Sequence, residues 1–316
     1  MIELQPYEAD HQQIWDDYCR TCINSTLLHT RRFLGYHGDR FTDRSLVLIH
    51  DGEIVGLLPA AVSSGDSSIV ISHPGATFGG LIHNGWLTGQ RMIQAMERLR
   101  EHFHDAGFRT IRYKATPHIY PTCPAQDDLY ALFRLGAQRV RSDLSSSIDL
   151  SGRRGISQRR RRALRKAEAA VTVHSGIDWL VAFYSVLERN LAERHGAKPV
   201  HQLDELHTLA ALFPDEIILS VAVKDDAVVA GVLFFRTSRV IHAQYIASST
   251  DGFGVSALDA IFDEAVKDGI RRNIRYLDFG TSNEDDGRVL NEGLYRYKTE
   301  FGGGGVAYDQ YDIDCT

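Results

Sequence analysis

Two apolar runs, Leu46-Val-Leu-Ile and Ile54-Val-Gly56, flank Asp51-Gly52, which predicts two strands joined by a tight turn. The plan returns downstream: Leu219 to Val223 and Val228 to Gly231 flank Asp225-Asp226. Two amphipathic helices are predicted at matching places. One carries Met92, Ile93, Met96, Leu99 and Phe103 on a single face, and the other Leu258, Ile261, Phe262, Ala265 and Val266. Each is followed by a polar turn and a short strand, Asp105-Ala-Gly-Phe-Arg-Thr-Ile-Arg-Tyr113 in the first case. In the second the corresponding stretch is Asp268-Gly-Ile-Arg-Arg-Asn-Ile-Arg-Tyr276.

The parts recur in the same order at an offset of about 160–175 residues, close to one domain length, so the chain reads as a tandem duplication. Each copy is expected to contain helices, a hairpin-linked meander, a long helix, a strand, a short helix and a closing strand. The closing strands fall at Ala137 to Leu150 and at Val306 to Ile313. A mixed sheet flanked by helices is an α+β architecture. Ser151-Gly-Arg-Arg-Gly155 interrupts the apolar pattern, which places the expected domains at 1–150 and 151–316.

Composition adds a bound. With 43% hydrophobic and 24% charged residues, 316 residues can bury two sizeable cores. No apolar run approaches the roughly 20 residues of a membrane span, and the acidic N-terminus does not resemble a signal peptide. The expectation is a cytoplasmic protein. Cys19-Arg-Thr-Cys22 has redox or zinc spacing but no second pair, and His102, His104, His195, His201 and His207 show no metal-ligand spacing, so no metal is expected.

Charge is more informative in its distribution than in its total of −6. Eight basic residues and no acidic one lie between Arg153 and Lys166, leaving −14 elsewhere. One reading is a solvated linker helix; the other is capture of phosphates by residues such as Arg159 and Arg162. The acidic remainder argues against DNA and against sequence-specific nucleic-acid readout.

Three further places are candidates for chemistry. Ser249-Thr-Asp-Gly252-Phe253-Gly254-Val255 lies between a strand and a helix, where glycines and backbone N–H groups can cradle a pyrophosphate. On the preceding strand, His242 and Gln244 alternate onto one face. The last place is the C-terminal segment. There Tyr276-Leu-Asp278-Phe-Gly280 ends a strand, the loop Thr281-Ser282-Asn283 follows, and Lys298 stands among Tyr295, Tyr297 and Phe301. An ammonium there could stabilise an oxyanion formed by amine attack on an acyl carbonyl, with Asp278 orienting the amine or accepting its proton. No G-x-S-x-G elbow supports a hydrolase triad.

Strand–strand–strand, helix, strand, helix, strand is the order of the GNAT N-acetyltransferase fold, and the chain from about Leu46 to Asp312 resembles the Fem (FemABX-like) branch of that superfamily. The resemblance is carried by the Arg-rich entry to the second copy, Tyr276-Leu-Asp-Phe-Gly280, and Gly293-Leu-Tyr-Arg-Tyr-Lys298-Thr-Glu-Phe-Gly302. It implies two GNAT-like domains and places Lys298 against the precursor and the transition state. It also implies transfer of an acyl or aminoacyl group to an amine of a small acceptor, a cell-envelope or polysaccharide precursor that is nucleotide-linked or phosphorylated. The donor it implies is acyl-CoA or aminoacyl-tRNA. Fem enzymes carry Asp-Pro after the domain-one strand, the Asp being a proposed proton acceptor. Here the place reads Lys114-Ala-Thr116-Pro117, which weakens the tRNA-dependent peptidyltransferase alternative and favours acyl-CoA. A third expectation, from a different class, is a non-catalytic scaffold binding a phosphorylated ligand.

Overall fold

A computed structural model describes residues 1–316, apart from the side chains of Arg194 and His195, so the expectation for His195 lies outside the described residues. The chain divides into two compact units. Unit one comprises residues 1–143, 283–289 and 307–316; unit two comprises 144–282 and 290–306.

Unit one opens with β1 (Glu3–Pro6), α1 (Gln12–Thr21) and α2 (Arg31–Gly35). The Asp51-Gly52 hairpin forms as β2 (Leu46–His50) and β3 (Glu53–Leu58), with β1 antiparallel to β2. A second sheet holds β4 (Ala61–Val62), β5 (Ile69–Ile71) and β6 (Thr110–Lys114), with β5 and β6 parallel. The crossover between β5 and β6 contains α3 (Gln90–Asp105). Its predicted stripe of Met92, Ile93, Met96, Leu99 and Phe103 is buried in the unit's main core with Leu46, Leu48, Val70 and Ile111. Among the later elements, α4 (Asp127–Arg134) and β7 (Gln138–Asp149) follow in sequence.

Unit two repeats the plan. After α5 (Gln158–Glu168) come β8 (Thr172–Ser175), α6 (Leu180–His195), α7 (Leu203–Leu212), β9 (Ile217–Lys224), β10 (Ala227–Arg236) and β11 (Val240–Ser248). The strands β8 to β11 form an antiparallel meander. Then α8 (Thr250–Val255) and α9 (Ala257–Arg271) lead to β12 (Tyr276–Thr281), which runs parallel to β11. The remaining elements are β13 (Asn283–Glu284), β14 (Val289–Leu290), α10 (Glu292–Thr299) and β15 (Gly304–Asp314).

The closing strands show an exchange between the copies. Residues 145–149 of β7 lie antiparallel to β12 inside unit two, while residues 310–314 of β15 lie antiparallel to β6 inside unit one. The second closing strand, expected at Val306 to Ile313, thus completes the sheet of the first unit over most of its length.

The core of unit two is built on α9. Leu258, Ile261, Phe262 and Val266 pack on Phe234, Ile241, Leu277 and Phe279. Phe262, Phe279 and Phe301 lie with ring centroids 4.6 to 5.6 Å apart. Phe301, predicted beside Lys298 in the tail motif, is therefore a core residue. The glycines that follow it are required sterically: a Cβ on Gly302 would stand 2.3 Å from the Arg154 carbonyl oxygen, and one on Gly303 2.7 Å from that of Ser147.

Candidate functional site

The site is set by where two parallel strands part. Pairing between β11 and β12 runs through Val240↔Tyr276, Ile241↔Leu277 and His242↔Asp278 and ends there, although β11 continues to Ser248. Gln244 is the extra residue of a bulge, since Leu233 pairs with Tyr245 and Phe234 with Ala243. The bulge breaks the strand's alternation, so the shared face expected for His242 and Gln244 does not carry through it. Beyond Asp278, β12 turns at Gly280, whose φ is 75°. The place where two parallel strands part is where α/β sheets commonly take ligands.

Asp278 is fully buried. Ser145 Oγ donates to its Oδ1 at 2.5 Å, Ser147 Oγ donates to the same oxygen, and His242 Nδ1 lies 2.7 Å from Oδ2. Burial alone would raise the carboxyl pKa. The bond and charge of His242 and the two serine hydroxyls outweigh it, and the group is held below the ordinary carboxylate range. An ionised carboxylate only accepts, so His242 Nδ1 carries a proton toward it; in the neutral form of the ring Nε2 is then the nitrogen that bears the lone pair. Asp278 itself, walled in by three donors, has no face for an acceptor amine. The carboxylate is thus placed to fix the orientation of the His242 ring rather than to meet an acceptor amine itself.

Lys298 is buried, at 4% exposure. Its Nζ donates to the carbonyls of Gly280 at 2.9 Å and Thr281 at 2.7 Å. Burial lowers its pKa to about 8, with nearby Asp278 pulling the other way. The cation thus fastens the backbone at Gly280 and Thr281, where β12 has parted from β11 but still pairs with β7, and it lies near Asp278. The helix that carries it, α10, begins at Asn291, whose side chain accepts from the Leu294 N–H.

The basic stretch resolves into two kinds of arginine. Ser157 caps α5, and Arg160 points inward at 7% exposure. Its Nη1 bonds both oxygens of Asp259 at 2.8 and 2.9 Å, its Nε lies 3.3 Å from Glu300, and its guanidinium sits 4.7 Å from the Tyr297 ring centre. Tyr297 is thereby a packing partner of α5. Arg159, 3.8 Å from Glu300, and Arg162 are exposed on the outer face with Arg161, Arg165 and Lys166.

The predicted glycine loop is a short helix, α8. Ser249 caps it, taking the Gly252 N–H on its hydroxyl at 3.1 Å and the Phe253 N–H on its carbonyl. Gly252 is small because α8 lies against β10, where a Cβ would stand 2.3 Å from the Val229 carbonyl oxygen. Its glycine serves internal packing, and its N–H is already bonded; Phe253 and Gly254 are exposed and Val255 half-buried. The first turn of α9 moreover holds the Asp259 carboxylate. Gly252 is thus accounted for by packing and by the Ser249 cap rather than by close approach to a pyrophosphate.

Of the other expected contacts, Ser282 is buried, its backbone bonded to Leu144 and Asn291. Asn283 donates to the Gly287 carbonyl within the loop assigned to unit one, and Tyr295 lies half-buried with its hydroxyl beside Gly305. The structure therefore gathers His242, Asp278 and Lys298 and leaves these three to structural contacts. Ser145 and Ser147 were missed; their signal was the run Ser145-Ser-Ser147 inside an apolar strand, with the first and third on one face. Unit one has no such dyad. At the positions of its parallel pair that match His242 and Asp278 stand Ile71 and Arg112, the latter bonded to Asp312 at 2.9 Å. Cys19 is buried and Cys22 half-buried, and burial raises both thiol pKa values.

Residues 151–299 match the acetyltransferase (GNAT) domain family, and this span contains His242, Asp278 and Lys298. This span is similar to a GNAT domain. The whole chain has the fold of Fem-like tandem GNAT proteins: FemX superposes with a TM-score of 0.70 at 12% identity, covering 99% of this chain and 97% of that one. L-PGS from Bacillus licheniformis gives 0.62 at 11% identity over 96% and 91%. A tandem GNAT protein from the clavulanic acid biosynthesis pathway gives 0.55 at 11% identity over 100% and 99%. No curated protein matches the sequence. Among the described residues, no helix is long and apolar enough to cross a membrane.

Proposed function

We propose that this chain is an N-acyltransferase that transfers an acyl group from acyl-CoA to an amine of a small acceptor, with His242 as general base and Asp278 as the residue that orients it. The carrying observation is the 2.7 Å contact of His242 Nδ1 with a buried, ionised Asp278 at the last paired position of β11 and β12. The amine nitrogen attacks the acyl carbonyl between the strand ends and gives its proton to His242 Nε2. The N–C bond forms, the C–S bond breaks, and the thiolate leaves. His242 then returns the proton to the thiolate, which regenerates the neutral ring and yields amide and free thiol. Positioning of a neutral amine supplies much of the rate in such a reaction, and a base adds about 10²–10⁴-fold.

The match of residues 151–299 to an acetyltransferase domain supports acyl-CoA as donor. The resemblance of the Tyr276–Gly280 and Gly293–Gly302 segments to Fem enzymes supports a cell-envelope or polysaccharide precursor as acceptor. Five exposed cations on α5, Arg159, Arg161, Arg162, Arg165 and Lys166, favour the second reading, an aminoacyl-tRNA donor. Calorimetric titration with acetyl-CoA and desulfo-CoA, beside filter binding of aminoacyl-tRNA at two salt concentrations, separates the two. Saturable CoA binding, and a His242→Gln protein that still binds CoA but loses turnover, is the expected result. Tight tRNA binding that weakens steeply with salt, without CoA binding, would replace the donor. Binding of neither would favour a non-catalytic scaffold.

A further inference from the structure

His242 and Asp278 can hold an incoming proton in two ways, and two hydroxyls from outside residues 151–299 bear on which is taken. Ser145 and Ser147 lie on β7, ahead of that span but within unit two. Antiparallel pairing sets Ser147 directly across from Asp278, and Ser145 across from Thr281 beyond a register shift. Residues two apart on a strand share a face, so both hydroxyls arrive on one side of the carboxylate. They converge on Oδ1, Ser145 at 2.5 Å and Ser147 on the same oxygen, while His242 Nδ1 lies 2.7 Å from Oδ2.

A proton that reaches His242 Nε2 makes an imidazolium beside a carboxylate. That ion pair can collapse: the Nδ1 proton crosses the 2.7 Å contact to Oδ2, leaving a neutral carboxyl and a neutral ring whose proton sits on Nε2. The two forms hold the same protons and differ only in where one of them lies. Burial favours the collapsed form, since Asp278 is fully buried, His242 is 9% exposed, and separated charges are costly to desolvate. The serines act against it. A hydrogen bond to a carboxylate is about twice as strong as one to a neutral acceptor, and both hydroxyls donate to the oxygen that would lose its charge. The other charge near the pair, Lys298 on α10, also favours the carboxylate, but its ammonium is held by the carbonyls of Gly280 and Thr281. The hydroxyls are the groups that bond Oδ1 directly.

We propose that Ser145 and Ser147 are positioning residues that keep the dyad's proton on the His242 ring, so that Asp278 stays a counter-ion and does not itself take the proton. Their part in general-base catalysis rests on the acyl-transfer reading, whereas the location of the proton does not. The span that matches an acetyltransferase domain is then chemically incomplete by itself, because the strand that closes the first copy supplies both donors.

NMR of the full chain, labelled in histidine and aspartate, locates the proton without any turnover assay. Imidazole ¹H–¹⁵N correlations separate an imidazolium from a neutral ring protonated on Nε2, and the ¹³C shift of the Asp278 carboxyl reports its ionisation. His242→Gln and Asp278→Asn identify the two sets of signals. Titrated downward from alkaline pH, the wild type should pass from a neutral ring protonated on Nδ1 to an imidazolium while Asp278 stays ionised. Ser145→Ala and Ser147→Ala should each raise the pH at which Asp278 takes a proton by about one unit, the difference between a charged and a neutral hydrogen bond. In the double variant burial should prevail, and the first proton should go to Asp278 with the ring neutral and protonated on Nε2. Each substitution removes a hydroxyl and leaves the backbone pairing of β7 with β12 in place, which circular dichroism checks. An imidazolium beside an ionised Asp278 in the folded double variant overturns the proposal, as does a neutral wild-type ring protonated on Nε2. Should the double variant fail to fold, an unchanged Asp278 titration in both single variants overturns it equally. Failure of the acyl-transfer reading is a separate result, seen as absence of thiol release from acetyl-CoA by the wild type.

Discussion

Replacing Asp278 by asparagine alters one atom in the interior of unit two and reverses the imidazole beside it. The asparagine Oδ1 can still accept from Ser145 and Ser147, so the packing of β7 on β12 is retained. Its Nδ2 then faces His242 Nδ1, and two donors cannot share that bond. The ring moves its proton to Nε2, the atom that has to take the proton of the amine. Loss of the charge-assisted bond alone is worth about 1.5–3 kcal/mol, or roughly 10- to 150-fold in rate. Holding the ring in the wrong tautomer costs as much as about 10⁴-fold where a carboxylate–imidazole pair serves as base. The expected fall in kcat is therefore about 10²–10⁴-fold, with the affinity for acetyl-CoA unchanged and stability lowered by no more than about 2 kcal/mol. Thiol release from acetyl-CoA with a panel of primary amines reads the rate. Long-range ¹H–¹⁵N correlation spectra of the imidazole read the tautomer directly. A kcat within about threefold of wild type, or an Nδ1–H tautomer persisting in the variant, would refute the assignment.

Three other perturbations have expected signs. Lys298 titrates at about 8 in the fold, against 10.5 in an unfolded chain, mainly through burial. The native state sheds this proton first, so the lysine penalises stability below pH 8 and the penalty is relieved as pH rises towards 10.5. The span is worth up to about 3 kcal/mol, and urea midpoints from pH 7 to 10 should rise less in Lys298→Met than in wild type. Gly252→Ala forces a Cβ against Val229 and should cost about 1–3 kcal/mol, whereas Gly254→Ala, with open space around it, should stabilise α8 by about 0.5–1 kcal/mol; equal urea midpoints for the two would contradict the packing of α8 on β10. Arg160→Met strands the Asp259 carboxylate and should cost about 3–5 kcal/mol, part of it recovered by adding Asp259→Asn. Additive effects of the two substitutions in a double-mutant cycle would show that the pair is not coupled.

Much of this architecture was legible because it rests on local pattern. The Asp51-Gly52 hairpin, the stripe on α3 and that on α9 are each fixed by residues a few positions apart. The duplication was legible for the same reason, repeated at a constant offset. What escaped depends on partners distant in sequence. The aromatic neighbours of Lys298 are visible in the sequence, but the Gly280 and Thr281 carbonyls that hold its ammonium come from β12. Arg160 is indistinguishable within a run of four arginines until Asp259 meets it from α9. The spacing of Gly252 and Gly254 suits both a phosphate loop and a helix turn pressed on a strand, and only the Ser249 cap and the Val229 contact decide between them. Asp278 was identified from its place at a strand end, but its part was not, because His242, Ser145 and Ser147 reach it from two other strands.

The exchange of closing strands has a consequence for the time at which the protein can fold. Unit one needs residues 307–316, which pair with β6, yet its main segment ends at residue 143. A ribosome adding about 5–20 residues per second takes on the order of ten to thirty seconds to cover that interval. For all of it the nascent first unit carries β6 with one edge exposed, a hazard for pairing with strands of other chains. Synthesis from the N-terminus cannot here mean folding from the N-terminus: the first unit to emerge is completed only when the last strand arrives.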